Sequence, residues 1–264
     1  MSKQTVLITG MSRGIGKAIG QTMLQKGYHV IGTARNPETV KDKLEGATYL
    51  PLDLSNEQSV EELYEHIKDT RIDILVNNAG QSQLGPVEES DMEKYRYLFE
   101  VNFFGLLKLT KYILPQMRER KSGTIINIGS LTGRFALPYY SSYCATKFAL
   151  SGFTQSLRSE MMDFGVKVVL IEPNDIGTSI VPEFLCRNEA EYYPMANKVR
   201  EKVKANMAHA ESPQIIVNAV VNAIEKRDTK PVYVAGGNAG LLKFVKRLLP
   251  DKLAEKIIRN SYDL

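Results

Sequence analysis

The chain has 264 residues, 43% of them hydrophobic and 24% charged, and 34 Lys and Arg against 30 Asp and Glu leave a formal net charge of +4. That is the composition of a globular domain with a core of useful size, and the charge is too small, without a basic block or basic–aromatic interleaving, to argue for nucleic acid. Cys144 and Cys186 make no disulfide framework, His29, His66 and His209 lack metal-ligand spacing, and no signal peptide or apolar run near the ~18 residues of a membrane span is seen, so a cytoplasmic chain without structural metal is expected.

Short β-rich runs then alternate with longer helical patterns. TVLIT, residues 5–9, reads as a strand and leads into TGMSRGIG, whose Gly10, Gly14 and Gly16 open a helix expected over 14–26. Glycines there let the backbone turn tightly and approach a pyrophosphate, whose charge sits at the helix N-terminus. Gly10, Ser12, Arg13, Gly14, Ile15 and Gly16 are the candidate binding residues. The second strand, HVIGT, ends without the carboxylate that would accept hydrogen bonds from a ribose 2′-hydroxyl: Ala34 stands just past it and Arg35 follows. Arg13 and Arg35 suit a 2′-phosphate, which arginine grips with paired hydrogen bonds, so NADP(H) is the expected nucleotide. A third strand, TYLPLD, runs out at Asp53 and Leu54. Asp53 is a candidate partner for the adenine amino group or an N-cap for the helix expected over 56–69, a role in which Ser55 competes.

Further strands follow at DILVNN, TIINIG, VKVVLIE and PVYV, with helices expected near 91–114, 142–163 and 213–226. Gly165 reads as the C-terminal cap of the fifth helix. Near-continuous apolar runs indicate strands covered on both faces, hence one α/β domain, residues 1–264, with a doubly wound parallel sheet. Two segments break the rhythm. Residues 175–212 are too long for a connecting loop and read as a substrate lid. The extension 239–264 carries Leu241, Leu242, Val245, Leu248, Leu249, Leu253, Ile257 and Ile258 at helical spacing, with six basic residues against three acidic. It docks on the body or a second subunit, or touches a membrane surface peripherally.

In SSYCATK, Tyr143 and Lys147 stand at i and i+4 and so share a helix face. An ammonium beside a phenol favours the phenolate, and a general acid/base works best with its pKa near the operating pH. In order along the chain, TGMSRGIG, NNAG (77–80), VNFFG around Asn102, IINIGS ending at Ser130 and Tyr143-x-x-x-Lys147 resemble the short-chain dehydrogenase/reductases over nearly the whole length. The resemblance implies a Rossmann-type fold of about seven strands with helices on both faces. It implies Tyr143 as acid/base, Ser130 holding the same substrate oxygen, Lys147 on the nicotinamide ribose and lowering the tyrosine pKa, and Asn102 anchoring a water. It further implies Asn78, Ala79 and Gly80 beside the adenine and ribose, and Pro173, Ile176 and Thr178 near the carboxamide or phosphates. Asn174 replaces the family's usual glycine, and its tolerance of left-handed backbone is expected to preserve the turn.

The pocket walls are expected from LTGRFALPYY and from 175–212, with Phe135, Leu137, Tyr139, Tyr140, Phe184 and Tyr192 available. The resemblance is nearest to the hydroxysteroid and retinol dehydrogenase-like and carbonyl reductase branch, which implies a small-molecule hydrophobic ketone, aldehyde or alcohol. A 3-oxoacyl reductase of fatty-acid type and a non-catalytic NADP(H) sensor are the alternatives. The family implies a homodimer or homotetramer, with the helices near 91–114 and 142–163 as an interface.

Overall fold

A computed structural model of the chain describes residues 3–174, 176, 181–189, 191–237 and 249–264. Seven parallel strands form one sheet: β1 (Thr5–Ile8), β2 (His29–Ala34), β3 (Thr48–Pro51), β4 (Ile74–Asn77), β6 (Gly123–Ile128), β7 (Val166–Pro173) and β9 (Val232–Ala235), in the order β3-β2-β1-β4-β6-β7-β9. Side chains alternate across each strand, so Val6 and Ile8 enter one apolar layer with Ile216 and Val220, while Leu7 enters the other with Leu109, Ile113 and Leu157. Each layer is closed by helices: α1 (Gly14–Gln25) and α7 (Gln214–Glu225) on one side, α2 (Glu57–Ile67), α4 (Gly105–Glu119) and α5 (Ser141–Met161) on the other. Coverage on both faces is why the central strands read as unbroken apolar runs. The chain winds outward from β1 to β3 and returns to β4 on the other side of β1, so a crevice opens at the carboxyl ends of β1 and β4.

The helix expected over 91–114 is α3 (Met92–Phe99), a π-helical segment (Glu100–Phe104) and α4 in succession. A π segment is a wider turn that periodicity does not reveal, and such turns are frequent at functional sites; this one carries Asn102. The capping expectation for α2 is corrected: Asn56 is the N-cap, its side chain accepting from Ser59 N, and neither Asp53 nor Ser55 takes that place. Gly165 is left-handed at φ 65°, as expected, after a 3₁₀ turn that prolongs α5.

The 175–212 segment is not a loop throughout. Its two-residue strand β8 (Glu183–Phe184) pairs in parallel with β5 (Gln83–Leu84), and α6 (Tyr193–Ala208) follows. Strands of two residues show no period, and α6 buries only Ala196 and Val199, too narrow a stripe to read as a helix. Glu183 pairs with Lys94 at 2.8 Å, and Tyr192 donates to Glu88 at 2.6 Å, so the segment is strapped to the 83–94 region. At the far end of the chain, α8 (Asp251–Ser261) docks on the body: Ile258 and Tyr262 pack with Leu84, Tyr140, Cys144 and Val199. Thr178 and the apolar positions 241, 242, 245 and 248 lie outside the described residues. Among the described residues no helix is long and apolar enough to cross a membrane.

Candidate active site

The glycine loop hangs from the end of β1. Gly10 is left-handed at φ 70°, and a Cβ on Gly16 would lie 2.3 Å from Gly10 O and 2.6 Å from Asn78 Nδ2, so no larger residue fits without moving backbone. Asn78 locks this loop to the end of β4. Its Nδ2 donates to Thr9 O and Gly10 O at 2.9 and 3.2 Å, and the N–H groups of Asn78 and Ala79 both donate to Thr9 Oγ1 at 3.0 Å. Arg13 sits at the N-cap of α1 without a side-chain cap, and no acidic residue occupies the first turn. The first-turn N–H groups are therefore left for an anion, with no carboxylate to repel it. Ser12 and Ile15 are half-buried beside them. Arg13 and Arg35 are exposed and, among the described residues, enter no ion pair. The cradle fits a dinucleotide pyrophosphate.

Met11, absent from the sequence expectations, plugs the space behind the loop: Cβ atoms on Gly20 or Gly32 would lie 2.5 and 2.0 Å from its side chain. Asp53 Oδ1 accepts from Ser55 N and Oγ at 2.9 and 2.7 Å, while Leu54 is buried and its carbonyl abuts Gly105. Asn174 N–H donates to Ala235 O at 2.9 Å, continuing the pairing of β7 with β9 beyond Pro173, and most of the turn that follows lies outside the described residues. Ile176 is buried in the α7-side layer and bridges Glu211.

At the carboxyl ends of β4 and β6 the structure brings together Asn102, Ser130, Tyr143 and Lys147. Lys147 Nζ lies 5.7 Å from the Tyr143 ring centroid while donating to Ile128 O at 3.1 Å; Ser130 Oγ accepts from Thr132 Oγ1 at 2.9 Å and lies near enough to the Tyr143 phenol to favour its ionised form. Gly80 lies between Asn102 and Lys147: a Cβ there would be 3.3 Å from Asn102 Oδ1 and 3.8 Å from Lys147 Nζ. The Asn102 carboxamide pairs both ways with the Gln81 backbone, at 2.9 Å each, and its Nδ2 also donates to Thr146 Oγ1 at 3.1 Å. Thr146 thus ties the π segment to α5. The loop after Ser130 is pinned to the end of β7 by Arg134 and the buried Glu172, 2.5 Å apart. Neither Gln81, Thr146 nor Arg134 carries a sequence signal of its own.

Beneath the site, Asn77 and Asn127 are register partners whose side chains join at 2.9 Å. Thr110 of α4 accepts from Asn77 Nδ2 at 3.1 Å, and Thr154 of α5 accepts from Asn127 Nδ2 at 2.9 Å. This buried polar set holds both helices in register with the strand ends that carry the site.

Burial pushes the Tyr143 phenol up to about 12, against the pull of Ser130, and brings the Lys147 ammonium down to about 8. The expected lowering of the phenol is therefore not met in the protein alone. Desolvation disfavours phenolate and ammonium alike, and at Tyr143 it outweighs the pull of Ser130. Near neutral pH the phenol is a proton donor.

A nucleotide cradle at a topological switch point, with a serine, tyrosine and lysine converging beside it, defines a dinucleotide-dependent oxidoreductase. The chain belongs to the short-chain dehydrogenase family, whose model matches residues 4–188. A 3-ketodihydrosphingosine reductase of Bacteroides thetaiotaomicron is 32% identical over 273 residues, covering 99% of each chain. A solved short-chain dehydrogenase from Streptomyces avermitilis superposes with a TM-score of 0.82 at 32% identity, covering 98% of each chain. A second, from Burkholderia cenocepacia in complex with NADP, gives 0.75 at 27% identity over 96% of this chain and 95% of that one.

Proposed function

We propose that the chain is an NADP(H)-dependent oxidoreductase that interconverts an apolar ketone or aldehyde and its alcohol. The observation that carries this reading is the contact of Tyr143 with Ser130 and Lys147 beside an apolar rim. Tyr140, Cys144 and Tyr262 form a buried floor, and Leu137, Tyr139, Phe184 and Val203 stay half-buried around the phenol. Such a rim suits an apolar body, and the relative's name, a ketone reductase, agrees.

When bound, the nicotinamide cofactor supplies or accepts the hydride and, oxidised, adds a positive charge. In reduction Tyr143 Oη donates its proton to the substrate oxygen, and Ser130 Oγ hydrogen-bonds the same oxygen and keeps it in line. Lys147 holds the nicotinamide ribose hydroxyls, and its charge favours the phenolate that forms. Asn102, clamped by Gln81 and Thr146, anchors the water that continues the proton path from Lys147 to solvent. Gly10, Ser12, Gly14, Ile15 and Gly16 hold the pyrophosphate. Asp53, Leu54, Asn78, Ala79 and Gly80 flank the adenosine half, with Pro173, Ile176 and Thr178 at the nicotinamide end. The 175–212 insertion, with β8 and α6 as its described elements, is the substrate lid.

Arg13 and Arg35, both without a competing carboxylate, select the 2′-phosphate. Charge-assisted bonds of ~1.5–3 kcal/mol predict at least tenfold tighter binding of NADPH than NADH, by fluorescence titration of each. Arg35→Ser should cost NADPH about tenfold and leave NADH unchanged. Equal affinities in the parent would make both arginines surface charges.

The reading includes a homodimer, or a homotetramer built from it, in a reducing cytoplasmic setting that suits two buried free thiols. Phe104 and Phe148 are 48% and 45% exposed on α4's N-terminal edge and on α5, and Gly152, one turn on, has open space beside it. Phe148→Glu should therefore shift the sedimentation coefficient towards the monomer; an unchanged value would place the interface elsewhere.

A further inference from the structure

We infer that Tyr139 is a specificity-determining residue whose ring closes the apolar end of the substrate cleft. This rests on the proposed carbonyl reduction. Among the described residues only Lys121, Tyr139 and Asp263 are non-glycine residues with positive φ, and Tyr139, at φ 62°, is the one beside the site, four residues before Tyr143. A bulky aromatic holds that backbone only where its surroundings over-determine it.

Three distant elements supply that constraint. The β5–β8 pair fixes the carbonyl: Gly85 N donates to Tyr139 O at 2.8 Å, and Gly85 is itself so close to Leu185 that a Cβ would lie 2.8 Å from the leucine's. The ring packs on the cluster that α8 completes with Tyr262 and Ile258, next to Leu137 and Tyr143. Its phenol is raised by burial, with Arg259 of α8 opposing and Cys186 after β8 adding to the shift. Lid, C-terminal helix and catalytic helix therefore converge on one half-buried ring.

Lys147 is held independently of this convergence, by its place in α5 and its bond to Ile128 O at the end of β6. What the strain and the convergence fix is the position of an apolar wall just ahead of the helix that carries the acid. A shorter side chain at 139 opens the cleft towards α8 and admits longer apolar carbonyl compounds.

Parent, Tyr139→Ala and Tyr139→Gly would be assayed with NADPH against linear 2-ketones of increasing chain length, with NADPH Kd and Tm measured alongside. Glycine relieves the left-handed backbone while alanine retains it, so the two separate ring from strain. Both variants are expected to shift the ratio of kcat/KM for long over short ketones upward by tenfold or more, with NADPH Kd unchanged. An active parent whose ratio is kept in both variants, with only Tm altered, would make Tyr139 purely structural and overturn the inference. A parent that binds NADPH yet turns over no ketone would remove the proposed reaction, and this inference with it.

Discussion

Tyr143→Phe should bind NADPH with the parent's affinity and reduce ketones roughly 10²–10⁴-fold more slowly, the range of a lost general acid. The substitution removes one atom. The ring keeps its edge-on contact with Tyr140, 6.0 Å between centroids, and its place on the cluster with Tyr262 and Cys144. Of the ring's surroundings only the polar approach of its phenol to Ser130 is lost. Fold and cofactor cradle therefore stay intact, and the defect falls on kcat. In the parent the phenol, with a pKa pushed up to about 12, carries its proton throughout the neutral range, so it is set to act as a donor and the reductive direction needs no prior titration. Stopped-flow turnover combined with NADPH titration reads both quantities. A variant with the parent's kcat would take Tyr143 out of the chemistry.

Lys147→Met should abolish turnover for the complementary reason and, in the cofactor-free protein, should reveal how much stability the site gives up. The Lys147 ammonium is buried, and its pKa falls from 10.5 to about 8. Between those values the unfolded chain holds a proton that the folded chain has shed. Stability therefore rises with pH across that window, and the cost of the buried charge is fully present only below it. Relative to Lys147→Met, which has nothing to titrate there, the parent should gain roughly 2–3 kcal/mol between pH 7 and pH 10. The raised Tyr143 phenol works in the opposite sense at higher pH, but it is common to both proteins and cancels in the difference. Urea melts of parent and variant at the two pH values measure it directly. A difference independent of pH would mean that Lys147 is solvated in the folded protein. The gain is not the whole comparison, because the methionine leaves Ile128 O without the donor it has at 3.1 Å; only the pH-dependent part isolates the charge.

The residues that converge in the site were legible because their relations are short-range. Tyr143 and Lys147 meet through one turn of α5, and the glycine loop follows directly from β1 into α1. Ser130, by contrast, is thirteen residues from Tyr143, and a known family pattern was needed to join them. Gln81, Thr146 and Arg134 escaped notice because each acts on a partner in another element: Gln81 on Asn102, Thr146 back to Asn102, Arg134 on Glu172.

By itself the sequence determined the seven-stranded parallel sheet, the nucleotide loop and the Tyr143–Lys147 pair. Apolar period, strand-ending glycines and i,i+4 spacing act over a few residues and survive in any folded context. Tertiary structure alone decided the π turn at Asn102, the docking of α8, the strained Tyr139 and the direction in which the phenol shifts. Each of these depends on desolvation and on packing against segments far away in the chain, and the local pattern of residues carries no record of what will be buried against it.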